Sequence, residues 1–454
     1  MIDIIIDGRS HQAEEGSLLI DVLIKEDIKV PYFCYHESLG ADGNCRMCMV
    51  GIEGQKRPQI ACDTLITKDM VVDTKNDTIK KIRTDILELE LINHPVDCPT
   101  CDQAGECSLQ DYYMDYGLHN TKVTIQEKVK HAKHVDLGSS VMLDQERCVL
   151  CARCTRFTDK ITSTHELGII GRGDEAKVST MPGRKLDNPY AMNVVDLCPV
   201  GALTSKDFRF SQRVWLLQTV DSICHGCAKG CNIYIDHNKI KYKDDAIYRF
   251  RPRRNDAVNG FFMCDEGRLS YKELQENTQE TAGLNGEDIS DDEAMQKAKS
   301  LIEKHKNNTA IIIDANLYTE EIEAILVFAL DINAKVYSPL AVYRDETFKD
   351  DMLRSANRAA NSYTIERLKI NSSEPSENAL VINFNHPQNF NAQSQINFFT
   401  HKRNNTGLTL PLATFSESSG TLTNEDGITQ KCEQAIDKNN PIPSVIEYIQ
   451  RLRG

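Results

Sequence analysis

Along the first residues, DIIIDGRSHQA alternates apolar and polar positions around Asp7-Gly8, which predicts a β-hairpin turning there. An apolar run from Ser17 to about Lys25 predicts a helix behind it. From Asp77 to Asn93 the apolar positions Ile79, Ile82, Ile86 and Leu89 recur at helical spacing, with Asn76 or Asp77 as cap. Pro95 ends that helix, and His94, held out of the helical region by the proline after it, turns toward the next loop. Alternation returns in NIYIDHNKIKY, 232–242, and predicts a small β-rich module. Beyond it TAIIIDAN, a helix around Thr319–Leu330, AKVYS and NALVINFN read as strands alternating with helices, the pattern of a doubly wound α/β domain. The acidic, Asn- and Ser-rich stretches 275–292 and 371–378 read as linkers or surface loops. Neither repeats nor a GxGxxG phosphate loop occur.

Composition narrows the classes. A chain of 454 residues, 40% hydrophobic, is long enough for about three globular domains. A net charge of −14 argues against nucleic acid or an anionic membrane surface as partner, because phosphates repel an acidic face. The N-terminus carries Asp3 and Asp7 and no basic segment before an apolar run, so no secretory signal is read. The longest apolar stretch, Ala324–Leu330, is too short to span a bilayer. The expected location is therefore the cytoplasm, where sixteen cysteines stay reduced and need a role other than disulfides.

Fifteen of the sixteen lie between Cys34 and Cys264, leaving Cys432 apart. The first group, Cys34, Cys45, Cys48 and Cys62, follows the hairpin and helix, and together they suggest a β-grasp ferredoxin module carrying [2Fe-2S]: three ligands on one loop wrap a flat cluster and Cys62 closes it. A four-cysteine zinc site and four simply buried thiols are the competing readings. The second group, HPVDCPTCDQAGEC, offers His94, Cys98, Cys101 and Cys107. The other three groups have four cysteines each, so without His94 this one has an open corner; a surface histidine and a zinc site of three cysteines and one histidine are the alternatives. The third, Cys148, Cys151 and Cys154 with Cys198 of CPVGAL, has the C-x2-C-x2-C…C-P arrangement that wraps a [4Fe-4S] cube. The fourth is Cys224, Cys227 and Cys231, with Cys264 of FFMCDEGR as the distant member across thirty-two residues. No acid–base constellation accompanies them, and no catalytic residue is named.

In this order the four groups resemble the family of large iron–sulfur subunits of bacterial NADH:quinone oxidoreductase, respiratory complex I. The likeness runs over residues 1–270 and resumes at TFSESSGTLTNEDGITQ, 414–430, similar to a stretch of that family's molybdopterin-oxidoreductase-like region. It departs in between, for the region after Cys264 has only 190 residues. The resemblance implies one [2Fe-2S] and three [4Fe-4S] clusters, no molybdopterin, and an α+β multidomain chain. The domains expected are a [2Fe-2S] β-grasp, 1–76; a histidine-plus-three-cysteine [4Fe-4S] domain, 77–140; a ferredoxin-like [4Fe-4S] domain, 141–216; a small β-rich [4Fe-4S] domain, 217–272; and a truncated α/β doubly wound remnant, 273–454.

It also implies an electron relay in a complex I peripheral arm at the inner face of the cell membrane. Its partners would be a flavin or ferredoxin-type donor subunit, a two-cluster ferredoxin-like subunit and the quinone-site subunits, with membrane contact only through them. The Cys34, Cys148 and His94 sites would lie on the main path, and the Cys224 site off it. Two other readings compete. A molybdenum-dependent formate dehydrogenase needs a larger body and a metal-ligating thiolate or selenolate, and Cys432 is not where one is expected. A diaphorase subunit of an NAD-linked hydrogenase resembles residues 1–210 but not the later domains.

Overall fold

The computed structural model describes residues 1–120, 123–238, 246–376 and 378–454. The chain forms two compact units, Met1–Trp215 and Leu216–Gly454, and mixes helices with sheets in both.

In the first unit the hairpin forms as the alternation dictates. Strand β1 (Ile2–Ile6) pairs antiparallel with β2 (Arg9–Ala13), and Asp7 and Gly8 take positive φ, 50° and 80°, at the turn. β1 also pairs in parallel with β5 (Val71–Asp73), whose other neighbour is β3 (Met49–Ile52), and β3 pairs with β4 (Gln59–Ile60), giving the order β2-β1-β5-β3-β4. Helix α1 (Leu19–Lys25) buries Leu19, Ile20, Val22 and Leu23 in one core with Ile4, Ile6, Val50 and Val72.

Helix α2 (Asp77–Leu91) begins at Asn76, whose side chain accepts from Ile79 N at 2.9 Å. Its buried face is Ile79, Arg83 and Leu87; Leu89, expected on that face, is 67% exposed. The reason is angular: the buried face centres on Arg83, with Ile79 and Leu87 about 40° to either side, whereas Leu89, six residues after Arg83, points about 120° away. Helix α3 (Ser108–Tyr116) packs on α2, with Thr84 Oγ1 donating to Tyr116 O. Strands β6 (Val135–Asp136) and β7 (Val141–Leu143) join β10 (Leu203–Ser205) in a small sheet, and β8 (Leu167–Ile170) pairs with β9 (Lys177–Thr180). The short helices α4 (Arg153–Arg156) and α5 (Asn193–Leu197) lie in the loops between these strands.

The second unit opens with an antiparallel sheet of β11 (Gln218–Ile223), β12 (Asn232–His237) and β13 (Ile247–Pro252). β12 covers the front of the expected 232–242 alternation, and residues 239–242 lie outside the described residues. After helices α6 (Asp265–Leu269) and α7 (Tyr271–Gln275) comes a seven-stranded sheet. It contains β14 (Gly283–Leu284), β15 (Glu287–Asp288), β16 (Thr309–Ile313), β17 (Lys335–Tyr337), β18 (Leu380–Phe384), β19 (Ser394–Phe399) and β20 (Leu408–Pro411), in the order β15-β14-β20-β19-β18-β16-β17. From β17 to β20 every pairing is parallel, and the strands are apolar on both faces, as a sheet covered by helices requires.

Helices α8 (Asp291–Lys304), α9 (Thr319–Asp331), α10 (Ser362–Arg367) and α11 (Val445–Arg453) accompany that sheet, and β21 (Gly420–Thr423) pairs with β22 (Thr429–Cys432). The stretch 275–292 is more than a linker, because β14 and β15 turn at Asn285-Gly286, with φ 51° and 90°, and extend the sheet edge. The stretch 371–378 is a loop as far as it is described, residue 377 lying outside. Among the described residues no helix is long and apolar enough to cross a membrane.

Candidate metal centres

The first group sits on the loop between α1 and β3, with Cys62 in the turn after β4; all four thiols are buried. Gly43 and Arg46 take positive φ, 73° and 57°, bending the loop around its own sulfurs. Those sulfurs hydrogen-bond to one another: Cys34 to Cys45 and Cys62, and Cys62 to Cys48. The donations from Cys45 and Cys62 hold the Cys34 thiol well below its ordinary range, while Cys45 and Cys62 are pushed up by giving their protons. Phe33 N donates to Cys45 Sγ at 3.4 Å.

The second group follows α2. Val96 adopts φ 51°, strained for a β-branched residue, and the chain then makes a short turn at Cys98–Thr100. Arg147 grips Asp97 with two bonds, Nε to Oδ1 at 3.1 Å and NH2 to Oδ2 at 2.9 Å. Burial would raise that carboxyl, but Arg147 and Lys133 outweigh it and hold it low. Cys107 caps α3. Burial lowers His94 to about 4, leaving a neutral imidazole at pH 7, the state in which a nitrogen can ligate a metal.

His94 lines a cavity of about 340 Å³ with Cys45, Cys148 and Glu90. Among the described residues no hydrogen bond or ion pair joins its ring to Cys98, Cys101 or Cys107. Burial pushes Cys107 up to about 11, with the neighbouring Cys101 and Cys198 adding to the rise.

The third group is held by two left-handed residues, Leu150 (φ 49°) and Ala152 (φ 58°), between its closely spaced cysteines. Cys154 lies in α4, and Cys198 terminates α5. All four thiols line one small enclosed cavity. Burial pushes Cys148, Cys154 and Cys198 up, and Cys151 to about 12. Backbone N–H groups work the other way: Leu150 N donates to Cys148 Sγ at 3.4 Å, and those of Val200, Leu203 and Ala202 to Cys198.

In the fourth group Cys224, Cys227 and Cys231 occupy the β11–β12 turn, where Cys224 N donates to Cys231 O at 2.8 Å. Cys264 caps α6 and accepts from Gly267 N at 3.3 Å. All four line a cavity of about 490 Å³ that reaches Asp314 and Asn385, just past the ends of β16 and β18. A Cβ on Gly267 would stand 2.9 Å from Cys224 Sγ and 3.3 Å from Cys264 Sγ, so only a glycine lets the helix approach both sulfurs. Cys432 is buried in β22 beside Ser222, Ile223 and Tyr318, and burial pushes it up to about 11.

Among the described residues no three His, Cys, Asp or Glu side chains have the spacing of a single-ion site. Cys45, Cys148, Cys224 and Cys264 each accept a backbone N–H bond on sulfur, the kind of donor that surrounds cluster sulfurs, and four such groups of soft sulfur and imidazole donors fit iron–sulfur clusters. Sequence reasoning missed Arg153, Arg156 and Gly201. The arginines stand in plain view inside CARCTR, but only the fold reveals that they reach the first loop. Gly201 of CPVGAL lies so close to Cys101 that any Cβ there would collide with its sulfur.

Comparison with known proteins gives four family matches in chain order. They are the 2Fe-2S iron-sulfur cluster binding domain (1–77), the NADH-ubiquinone oxidoreductase-G iron-sulfur binding region (83–122), the NADH-quinone oxidoreductase subunit 3 ferredoxin-like domain (138–204) and the molybdopterin oxidoreductase Fe4S4 domain (217–276). The NADH-ubiquinone oxidoreductase 75 kDa subunit of Reclinomonas americana is 33% identical over 375 residues, covering 79% of this chain and 52% of the relative. The NADH-quinone oxidoreductase G subunit of Rickettsia prowazekii is 39% identical over 280 residues, 61% of this chain and 40% of the relative. Its counterpart in Streptomyces coelicolor is 33% identical, with 74% and 41% covered. The chain thus spans about half, or less, of the length of these relatives. A crystal structure of an NAD+-reducing [NiFe]-hydrogenase in the H2-reduced state is similar at 26% identity and a TM-score of 0.42, covering 47% of this chain and 91% of that one.

Proposed function

We propose that this chain, a homologue of the large iron–sulfur subunits of NADH-quinone oxidoreductase, is an electron relay that makes and breaks no bonds itself. One [2Fe-2S] cluster would be held by Cys34, Cys45, Cys48 and Cys62. Three [4Fe-4S] clusters would be held by His94, Cys98, Cys101 and Cys107, by Cys148, Cys151, Cys154 and Cys198, and by Cys224, Cys227, Cys231 and Cys264. When bound, such clusters supply one-electron stations. The chain's own residues bury the thiols, point N–H groups at them and fix them on short loops, which is what a relay needs in place of an acid or base.

The observation that carries this reading is that each family match in chain order encloses its own group of cysteines. The domain limits 1–76, 77–140, 141–216, 217–272 and 273–454 belong to the same proposal. So do the partners: a flavin or ferredoxin-type donor subunit, a two-cluster subunit and quinone-site subunits, in an arm on the cytoplasmic face of a membrane. Elemental analysis of the anaerobically purified chain tests it, with about 14 irons per chain expected and neither molybdenum nor stoichiometric zinc. Zinc in place of iron would overturn the cluster reading. Bound molybdopterin would favour a formate dehydrogenase-like subunit.

A further inference from the structure

Arg153 and Arg156 leave the third group and end on the first. Both are buried, at 7% and 8% exposure. Arg153 lies between Cys151 and Cys154. Its NH1 donates to Leu197 O at 3.1 Å, one residue before Cys198, and its NH2 donates to Tyr35 O at 2.6 Å, one residue after Cys34. Arg156 donates through NH1 to Gly40 O at 2.9 Å and through NH2 to the carbonyl of Cys34 itself. Asn44, beside Cys45, adds a bond to Leu150 O at 3.1 Å.

Their acceptors are neutral carbonyls, so the charge is left over. Among the described residues Arg153 makes no ion pair, and the carboxylate nearest to Arg156 is Asp42 at 4.0 Å. Arg153 Nε has no hydrogen-bond partner. A guanidinium cannot shed its proton, and a buried charge without a counter-charge is costly. The counter-charge within reach is that of whatever the two cysteine groups hold: Arg153 lines one small cavity with Cys148, Cys151, Cys154 and Cys198, and its two NH groups bond the carbonyls next to Cys198 and Cys34.

We propose that Arg153 and Arg156 form an electrostatic strut between the first and third centres, Arg153 serving both and Arg156 mainly the first. This inference rests on the cluster reading above. An added electron makes a cluster more negative, and a fixed positive charge in a low-dielectric interior favours that state, so the strut raises both midpoint potentials while its forks fix the spacing of the two loops.

The test is redox-titrated paramagnetic resonance on the anaerobically purified full chain, with iron and sulfide analysis, for wild type, Arg153→Gln, Arg153→Lys and Arg156→Gln. Arg153→Gln is expected to lower the midpoints of the first and third clusters together and to leave the fourth unchanged. Arg153→Lys, which keeps the charge and loses the fork, is expected to recover most of the shift. Unchanged midpoints with full iron, or a shift that lysine does not recover, would overturn the strut. If Arg153→Gln loses iron, Arg156→Gln decides: a first midpoint lowered more than the third supports the proposal, and equal or absent shifts overturn it. Wild type without iron–sulfur signals would defeat the underlying reading instead.

Discussion

Between Cys148 and Cys154 the backbone turns left-handed at Leu150 and Ala152, residues chosen for nothing that hydropathy reports. The spacing of the thiols is legible in the sequence as it stands; the neighbours that make room for them were not. Gly201 illustrates this. It reads as part of a Cys-Pro signature, yet its missing side chain makes space for Cys101 of the preceding group, and Gln103 Cβ lies 3.0 Å from where a Cβ would stand. Gly201→Ala should therefore lower the iron count by about four through loss of the second cluster, while the third group's own thiols remain. Iron analysis of the purified variant checks it, and a full count would show that the loop can move aside.

His94 is the other residue whose type matters. Its neutral ring contributes no negative charge, so His94→Cys should rebuild a cube with a lower midpoint, and an unchanged resonance signal would mean that the ring never touches iron.

At the scale of elements, period and caps were legible, but angle and burial only in part. Helical spacing puts Leu89 on the inner face of α2, yet that face is completed by Leu87 and by Arg83, which donates to Thr74 O at 3.0 Å and Met49 O at 2.8 Å. A buried arginine that spends its donors on carbonyls looks like a surface residue to any apolar pattern. The β14–β15 hairpin was hidden by an acidic composition that outweighed its Asn-Gly turn.

Helix α9 is legible nearly to its ends, and it carries a titratable group that the pattern conceals. Glu321 accepts from Tyr318 N at 3.0 Å at the helix start, and burial pushes its carboxyl up to about 7. The unfolded chain gives up that proton near the ordinary carboxyl value, so between about 4.5 and 7 the folded state binds more protons than the unfolded one. The contribution is fully present below about 4.5 and is lost as pH rises through 7, on the order of 3 kcal/mol in all. Glu321→Gln keeps the acceptor and removes the titration, so chemical denaturation from pH 5 to 8 should show a flatter stability profile than wild type. Parallel profiles would place the carboxyl in contact with water.

At the scale of the molecule, the sequence divides the chain by cysteine content and the fold divides it by packing, and the two divisions differ. Cysteine content breaks after Cys264; compactness breaks between Trp215 and Leu216, which leaves Cys224, Cys227, Cys231 and Cys264 with the large parallel sheet. The fold has a physical reason for its choice. Arg358 of the C-terminal region donates to Gly226 O at 2.7 Å, and Ala228 N donates to Asn357 O at 2.7 Å, so the fourth loop is braced by residues far beyond it in sequence. A cluster-bearing front cut after Cys264 would lose those braces. Expression of 216–454 alone should therefore yield a folded protein with about four irons, and 1–215 one with about ten, whereas a chain ending at residue 272 should bind the fourth cluster poorly. Iron analysis and circular dichroism of the three chains check this. A fourth cluster held equally well by the chain ending at 272 would mean that the sheet gives its cysteines no support.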